Sequence, residues 1–491
     1  MKLHHLLRES AARDSGRPAV IAPEETLSYG ELDARSEALA RALAAAGVGP
    51  GERVGIDLDK SAQAVVALFG VLKTGAAYVP IDPRSPAKRA AFIVDDCRLR
   101  ALLTTRARFA GLAVEIRQMP ACVLLADAGW EVVANTPKGT SGFHDFPDLA
   151  YILYTSGSTG EPKGVMLGHG AALAFVQWGC ARFFLKPGDR LANHAPLHFD
   201  LSVLDIFGAV AAGAAVALVP PAVSVFPRSL ADWIASHSIS VWYSVPSALT
   251  QLALRGGLER HRLERLRLVL FAGEVFPVRH LRRLMELAPR AAYFNLYGPT
   301  ETNVCTAYEV SAPPAADGPP LPIGRACCGD EVFLDGDELC VRGPTLMHGY
   351  WGRAARRPGD AYRTGDLARL DAAGEWHYIG RRDAQVKSRG YRIELGEVEA
   401  ALLKHPEVLE AAVIALPHEE FGCVLRAAVA MRGGAGAASL PASLAAFCAE
   451  RLPAYMVPAE FDLRDALPRT PNGKVDRAVL AQGTRLESRA S

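Results

Sequence analysis

Tyr154-Thr155-Ser156-Gly157-Ser158-Thr159-Gly160-Glu161-Pro162-Lys163-Gly164 is the stretch whose reading decides the fold. It follows Leu149 to Leu153, an apolar run that predicts a buried strand, so its Gly and hydroxyl residues fall in the turn that leaves a sheet. Turns of that kind hold phosphates. Gly157, Gly160 and Gly164 let backbone N–H groups approach an anion, Thr155, Ser156, Ser158 and Thr159 add hydroxyl donors, and Lys163 brings a mobile positive charge. Gly rather than Ser or Thr follows the Lys, which sets the stretch apart from the G-x-x-x-x-G-K-[ST] phosphate loop. A bare Ser/Gly run is more often a flexible surface loop. The strand before it, the Pro-Lys-Gly after it and the motifs downstream reverse those odds.

Outward from that turn the chain alternates strands and helices. Ser28-Tyr-Gly-Glu31 is a capping-box pattern opening a helix with Leu32, Leu39, Leu43 and Ala46 on one face and Gly47 at its end. A strand over 53–58, a helix over about 61–74 closed by Gly75 and a strand over 76–81 make a unit that builds parallel sheets. The pattern recurs over 266–271, 278–287 and 292–296. The expected architecture is α/β: a large doubly wound N-terminal body, residues 1–382, and a small mobile α+β C-terminal domain, residues 383–491. Gly380-Arg-Arg-Asp383 reads as the polar break between them, Gly433 to Ser439 as a surface loop, and the tail after Gln482 as frayed.

A chain of 491 residues exceeds what one core serves. Lys plus Arg number 54 against 53 for Asp plus Glu, so nothing in the charge points to nucleic acid or an anionic membrane. The nine Cys are scattered without CxxC pairs, which argues against a zinc site and a disulfide framework. With no apolar run of about 18 residues and no leader-like N-terminus, a soluble cytoplasmic protein is expected.

Asn295-Leu-Tyr-Gly-Pro-Thr-Glu301 follows a predicted strand and presents an aromatic face, Tyr297, that can stack a purine, and a carboxylate, Glu301, of the kind that holds Mg²⁺. Together with the Tyr154 stretch it makes the sequence similar to the adenylate-forming enzymes: the adenylation domains of nonribosomal peptide synthetases, acyl-CoA ligases and luciferases. Other motifs of that family stand in order: Leu72 to Pro83, Phe199-Asp-Leu-Ser202, Glu338 to Pro344, Tyr362-Arg-Thr-Gly-Asp366, Gly380 to Glu394, Leu452 to Pro458 and Asn472-Gly-Lys474. The segments before Glu338 and before Tyr362 are short for the family. The resemblance implies that ATP is bound by Thr155, Ser156, Gly157, Ser158, Thr159, Gly160, Lys163, Gly273, Glu274, Asn295, Tyr297, Gly298, Thr300, Asp366 and Arg381. It implies Mg²⁺ on Glu301, catalysis by Lys474, Glu301 and Thr155, a hinge at Asp383, and a face bearing Lys387 and Gly390 used in thiol transfer.

Asp200 decides the substrate class. An acid before an apolar helix is more often a cap. In the amino-acid-activating branch the matching Asp pairs with the α-ammonium, whereas a fatty acid offers no cation, and an unpaired buried carboxylate costs several kcal/mol. Aligned to that branch, the side-chain pocket comprises Leu201, Leu204, Tyr243, Leu270, Ala272, Leu296, Val304 and Cys305 after Asp200, with Lys474 for the carboxylate. None offers a charge or amide, so a compact aliphatic side chain is expected. This order looks like the stand-alone enzymes that activate L-proline ahead of pyrrole formation. Valine or pipecolate in the same pocket, or acyl-CoA ligation, are the alternatives. Val475 to Ser491 are too few for a carrier domain, so the peptidyl carrier protein is expected in trans.

Overall fold

The computed structural model describes residues 1–126, 129–135, 146–157, 160–261, 263–357, 359–383, 385–432, 440–470 and 475–482. Ser158, Thr159, Lys474, the 433–439 loop and the tail after Gln482 lie outside the described residues. By contact the chain divides into two compact units: Met1–Pro83, Ala90–Tyr154 and Lys163–Arg382 make the first, and Arg84–Arg89, Thr155–Pro162 and Asp383–Ser491 the second.

In the first unit the local signals act as their chemistry requires. Ser28 Oγ accepts from the Glu31 N–H at 3.2 Å and Glu31 Oε2 accepts from the Ser28 N–H at 2.8 Å, so the helix Tyr29–Ala45 starts with its first donors satisfied. Strand Arg53–Ile56, helix Ala62–Lys73 and strand Ala77–Pro80 form a parallel pair with a crossover, the chain reversing at Gly75, whose φ of 82° suits glycine. Leu268–Ala272, Val278–Leu287 and Ala292–Tyr297 repeat it.

These units build two large sheets. Among the described residues one has eight strands, with a parallel centre that includes Leu149–Thr155, Ala77–Pro80, Arg53–Ile56 and Ala101–Thr104. The other has nine, with Arg190–Asn193, Val241–Ser244, Leu268–Ala272 and Ala292–Tyr297 in parallel register. One face of each meets a shared core carried by helices Tyr29–Ala45, Ala62–Lys73 and His169–Arg182. The opposite faces are covered by other helices, Pro227–Ser236, Pro246–Arg255 and Val278–Leu287 on the nine-stranded sheet and Ala87–Asp96 on the eight-stranded one. Both sheets are therefore doubly wound.

A third sheet was not foreseen. Glu331–Asp335, Glu338–Arg342, Tyr362–Leu370 and Trp376–Arg381 form an antiparallel sheet whose Leu339, Val341, Ala368 and Trp376 pack on Tyr297 and Ile323. Gly380 and Arg381, read as part of a polar break, end its last strand, because a strand with one wet face carries polar residues without ceasing to be a strand.

In the second unit Val408–His418 pairs antiparallel with Gly422–Met431, and Glu460–Arg464 adds in parallel. Helices Leu395–Leu402 and Leu440–Ala449 cover one face through Val398, Leu402, Leu444 and Cys448. Gln385–Ser388 and Tyr391–Glu394 form a hairpin turned by Arg389 and Gly390, at φ 52° and 81°. No helix among the described residues is long and apolar enough to cross a membrane.

The N-terminal helix Leu3–Arg13 is fastened by histidines: the Leu3 N–H donates to His169 Nδ1 at 3.2 Å, and the His4 ring meets the His169 ring edge-on at 6.1 Å. Burial depresses His4 to about 3 and His169 to about 4, so both are neutral in the fold. The unfolded chain takes up these protons below about pH 6.5, so their contribution is intact above that pH and is lost as pH falls towards 4. The melting temperature of His169→Gln is expected to fall less between pH 6.5 and 4 than that of the unaltered chain, and equal slopes would contradict the assignment.

Candidate functional site

At the carboxyl end of strand Ala292–Tyr297 the chain turns through Gly298 into a single 3-10 turn, Thr300–Thr302. Only glycine fits at 298, since a Cβ there would stand 2.0 Å from the Asn303 carbonyl. Asn303 holds φ 53° with its side chain accepting from the Tyr151 hydroxyl at 3.2 Å. This tight return drives Glu301 inward, where it is 0% exposed. A buried carboxylate needs partners. The Tyr350 hydroxyl donates to Glu301 Oε1 at 2.7 Å, and Lys163 Nζ lies 3.8 Å from the same oxygen and 4.8 Å from the centre of the Tyr350 ring.

Beside it, the buried Tyr297 hydroxyl donates to Asp366 Oδ2 at 2.5 Å, and Arg381 Nη1 donates to Asp366 Oδ1 at 2.6 Å. Asp366 and Arg381 face each other across neighbouring strands of the antiparallel sheet. Burial, reinforced by the Asp366 charge, pushes the Tyr297 phenol well up, so it stays a donor. Tyr297, Asp366 and Arg381 thus form one cluster, and Lys163 and Glu301 another.

The residues of the Thr155–Pro162 loop group with the second unit. Thr155 ends strand Leu149–Thr155, and its hydroxyl is buried with no hydrogen-bond partner among the described residues. Within that unit Ser156 Oγ donates to the Arg392 carbonyl at 2.8 Å, and the Gly157 N–H donates to Glu397 Oε2 at 3.1 Å. A carboxylate oxygen on that N–H shows it to be an anion donor. A Cβ at Gly157 would stand 1.9 Å from the Glu161 carbonyl, and Gly160 takes φ 85°.

Asp200 precedes helix Leu201–Val203, yet its side chain makes no capping bond; its Oδ2 accepts from the Thr300 hydroxyl at 2.7 Å. Thr300, expected at the nucleotide, is thus tied to Asp200. The next residues, Leu204–Gly208, form a π-helical turn, an irregularity common at functional sites. Register puts Tyr243 beside Leu270, and Ala272 beside Leu296, on the face of the nine-stranded sheet that shares a core with Leu201, Leu204 and Val304. Tyr243 is pushed well up by burial, with the charges of Asp200 and Asp205 adding, so its hydroxyl is neutral there. Cys305 goes elsewhere: its thiol donates to the Tyr297 carbonyl at 3.5 Å, and it packs with Tyr297 and Ile323 rather than with the Tyr243 group. The two residues lie in the irregular stretch just before strand Thr306–Val310, and Val304 packs in the core shared with Tyr243 while Cys305 packs with Tyr297.

Gly273, at φ 98°, ends strand Leu268–Ala272, and Glu274 Oε2 accepts from the Ser247 N–H at 2.9 Å in the first turn of helix Pro246–Arg255. Asn295 donates to the Pro322 carbonyl at 2.8 Å. Asp383 Oδ1 accepts from the Gln385 N–H at 3.2 Å, and Lys387 and Gly390 lie in the hairpin of the second unit. Tyr350 was missed by sequence reasoning. An aromatic after a glycine carries no chemical signal until its hydroxyl is seen against Glu301.

Comparison with known proteins shows the family of the chain. The chain is 45% identical, over 98% of its length and 99% of the relative's, to a protein of Pseudomonas fluorescens Pf-5 named as an L-proline–(L-prolyl-carrier protein) ligase. It is 39% identical to one of the same name from Streptomyces coelicolor, over 96% and 94% of the two chains. The crystal structure of IdnL1 superposes with a TM-score of 0.81 at 31% identity, covering 95% of this chain and 99% of that one. Residues 7–351 match the model of the AMP-binding enzymes and residues 397–474 that of their C-terminal domain, so the chain belongs to the AMP-binding enzyme family.

Proposed function

We propose that this chain joins L-proline to AMP at the expense of ATP, releasing pyrophosphate, and passes the prolyl group to the phosphopantetheine thiol of a peptidyl carrier protein on a separate polypeptide. The observation that carries the amino-acid reading is Asp200, a carboxylate held by Thr300 and not spent on its helix. A carboxylate beside an apolar wall suits a substrate that brings its own cation next to an aliphatic side chain. The prolinium nitrogen is such a cation, and the pyrrolidine ring is such a side chain. Proline itself, and a carrier as acceptor, rest on the full-length likeness to the two ligases of that name.

In this reading Lys163 meets the phosphates, Thr155 offers its unpartnered hydroxyl to them, Asp366 accepts the ribose hydroxyls and Tyr297 flanks the base. Glu301 is a hard oxygen donor beside the proposed phosphate-binding Lys163, the kind of single carboxylate that with substrate phosphates fits Mg²⁺. The ion when bound would neutralise charge on the phosphates. Lys474 aligns the substrate carboxylate, one of whose oxygens attacks the α-phosphorus while pyrophosphate leaves with the electrons of the broken P–O bond. In the second step the carrier thiolate attacks the acyl carbon and AMP departs. Asp383 serves as the hinge between the two steps, with Lys387 and Gly390 on the face used in the second.

Two substitutions test these assignments. Asp200→Ala is expected to lower proline-dependent ATP–pyrophosphate exchange by about two to three decades, about 3 to 4 kcal/mol. Exchange near the unaltered rate would reject the amino-acid reading. Lys474→Ala is expected to abolish adenylate formation while thiol transfer from supplied prolyl-AMP survives much better. Equal loss of both half-reactions, each followed by single-turnover quench, would count against separate arrangements for the two steps.

A further inference from the structure

Lys163 and Glu301, the residues proposed to serve the triphosphate and the metal, are both held by one segment, Met347–Trp351. Its Met347 N–H donates to the Glu301 carbonyl at 2.9 Å, its Trp351 N–H donates to the Gly164 carbonyl at 2.8 Å, and Gly349–Tyr350 pairs with the strand that begins at Lys163. Tyr350 stands at the centre. Its hydroxyl donates to Glu301 Oε1 at 2.7 Å, while its ring lies under the Lys163 ammonium at 4.8 Å, a distance at which a cation is attracted to an aromatic face. A second cation, the Arg353 guanidinium, lies 5.7 Å from the same ring.

We propose that Tyr350 is a positioning residue for the adenylation step: its hydroxyl orients the metal-binding carboxylate of Glu301, and its ring sets the phosphate-binding ammonium of Lys163. The proposal rests on the roles given to Glu301 and Lys163 above. Three features make the arrangement more than packing. Lys163 Nζ is 3.8 Å from Glu301 Oε1, so the pair attract, and free of other restraint the ammonium would close on the carboxylate and block an incoming cation. Tyr350 prevents this by filling the space beside the ammonium and by occupying one acceptor direction of Oε1. The orienting bond is also made to a carboxylate that is itself 0% exposed, so losing the hydroxyl removes a donor from a buried charge. A partner that orients a metal-binding carboxylate changes metal affinity by about 10- to 100-fold when removed.

The Tyr350 hydroxyl also accepts from Lys163 Nζ, but at 3.5 Å, a long and weak bond, so the two functions of the side chain separate largely by substitution. Tyr350→Phe keeps the ring and loses the hydroxyl; Tyr350→Leu loses both. Binding of Mn²⁺ to the full chain with α,β-methylene-ATP, followed by the electron paramagnetic resonance of free Mn²⁺, reads the carboxylate. Binding of α,β-methylene-ATP alone, without metal, reads the lysine. Tyr350→Phe is expected to weaken Mn²⁺ binding about ten-fold and to change metal-free nucleotide binding less than about two-fold. Tyr350→Leu is expected to weaken both. Unchanged Mn²⁺ affinity in Tyr350→Phe overturns the proposal, and it does so even if the Leu variant fails to fold. Glu301→Gln serves as the arm for the underlying reading: if it leaves Mn²⁺ binding unchanged, Glu301 is not the metal carboxylate and the proposal falls with that assignment. If Glu301→Gln weakens binding while Tyr350→Phe does not, only the role of Tyr350 is lost.

Discussion

The constraint on which the rest depends is a carboxylate with no access to water. Glu301 is fully buried, and such a charge is tolerated only where donors and an opposite charge surround it. The surroundings come from three separated parts of the chain: Lys163 from the start of a strand of the eight-stranded sheet, Glu301 from the turn after a strand of the nine-stranded one, and Tyr350 from the short edge strand that pairs with the Lys163 strand. Holding these together requires two sheets whose strand ends converge. The helices shared between the two sheets, packed through Val65, Phe69, Phe175 and their neighbours, supply that rigidity. The site is therefore a consequence of the double sheet and not an ornament on it.

Much of this was legible because it is local. The Ser28 cap, the Gly75 reversal and the strand–helix–strand spacing each have one physical solution, and the chain adopts it. The turn at Gly298 was equally readable as a turn, but why glycine stands there became plain only from the Asn303 carbonyl that a Cβ would strike. The antiparallel sheet of residues 331–381 escaped notice because its strands are half exposed and carry charges that read as loop; the pairing of Asp366 with Arg381 is a cross-strand fact with no trace in the sequence. The π-helical turn at Leu204–Gly208 was hidden for another reason, since five buried residues, Asp205 among them, are too short a stretch from which to read a pitch. Cys305 was placed by alignment with the amino-acid pocket, while its packing puts it beside Tyr297.

At the substrate end the same economy holds. Asp200 stands where it could cap the start of a helix and does not, and it accepts a hydrogen bond from Thr300. In the proposed reading, Tyr243, Leu270, Ala272 and Leu296 offer the substrate a neutral phenol and aliphatic surface, which would discriminate by shape; a methylene there is worth only about 1 to 3 kcal/mol.

The most direct test of the account is therefore the identity of what is loaded onto the acceptor. The purified chain, ATP, Mg²⁺, an equimolar mixture of amino acids and a phosphopantetheinylated carrier protein are combined, and the intact mass of the carrier is measured. The account predicts a carrier heavier by one prolyl group, with the other amino acids absent from it. A carrier bearing valine or pipecolate instead, or an unloaded carrier beside acylated coenzyme A, would contradict it.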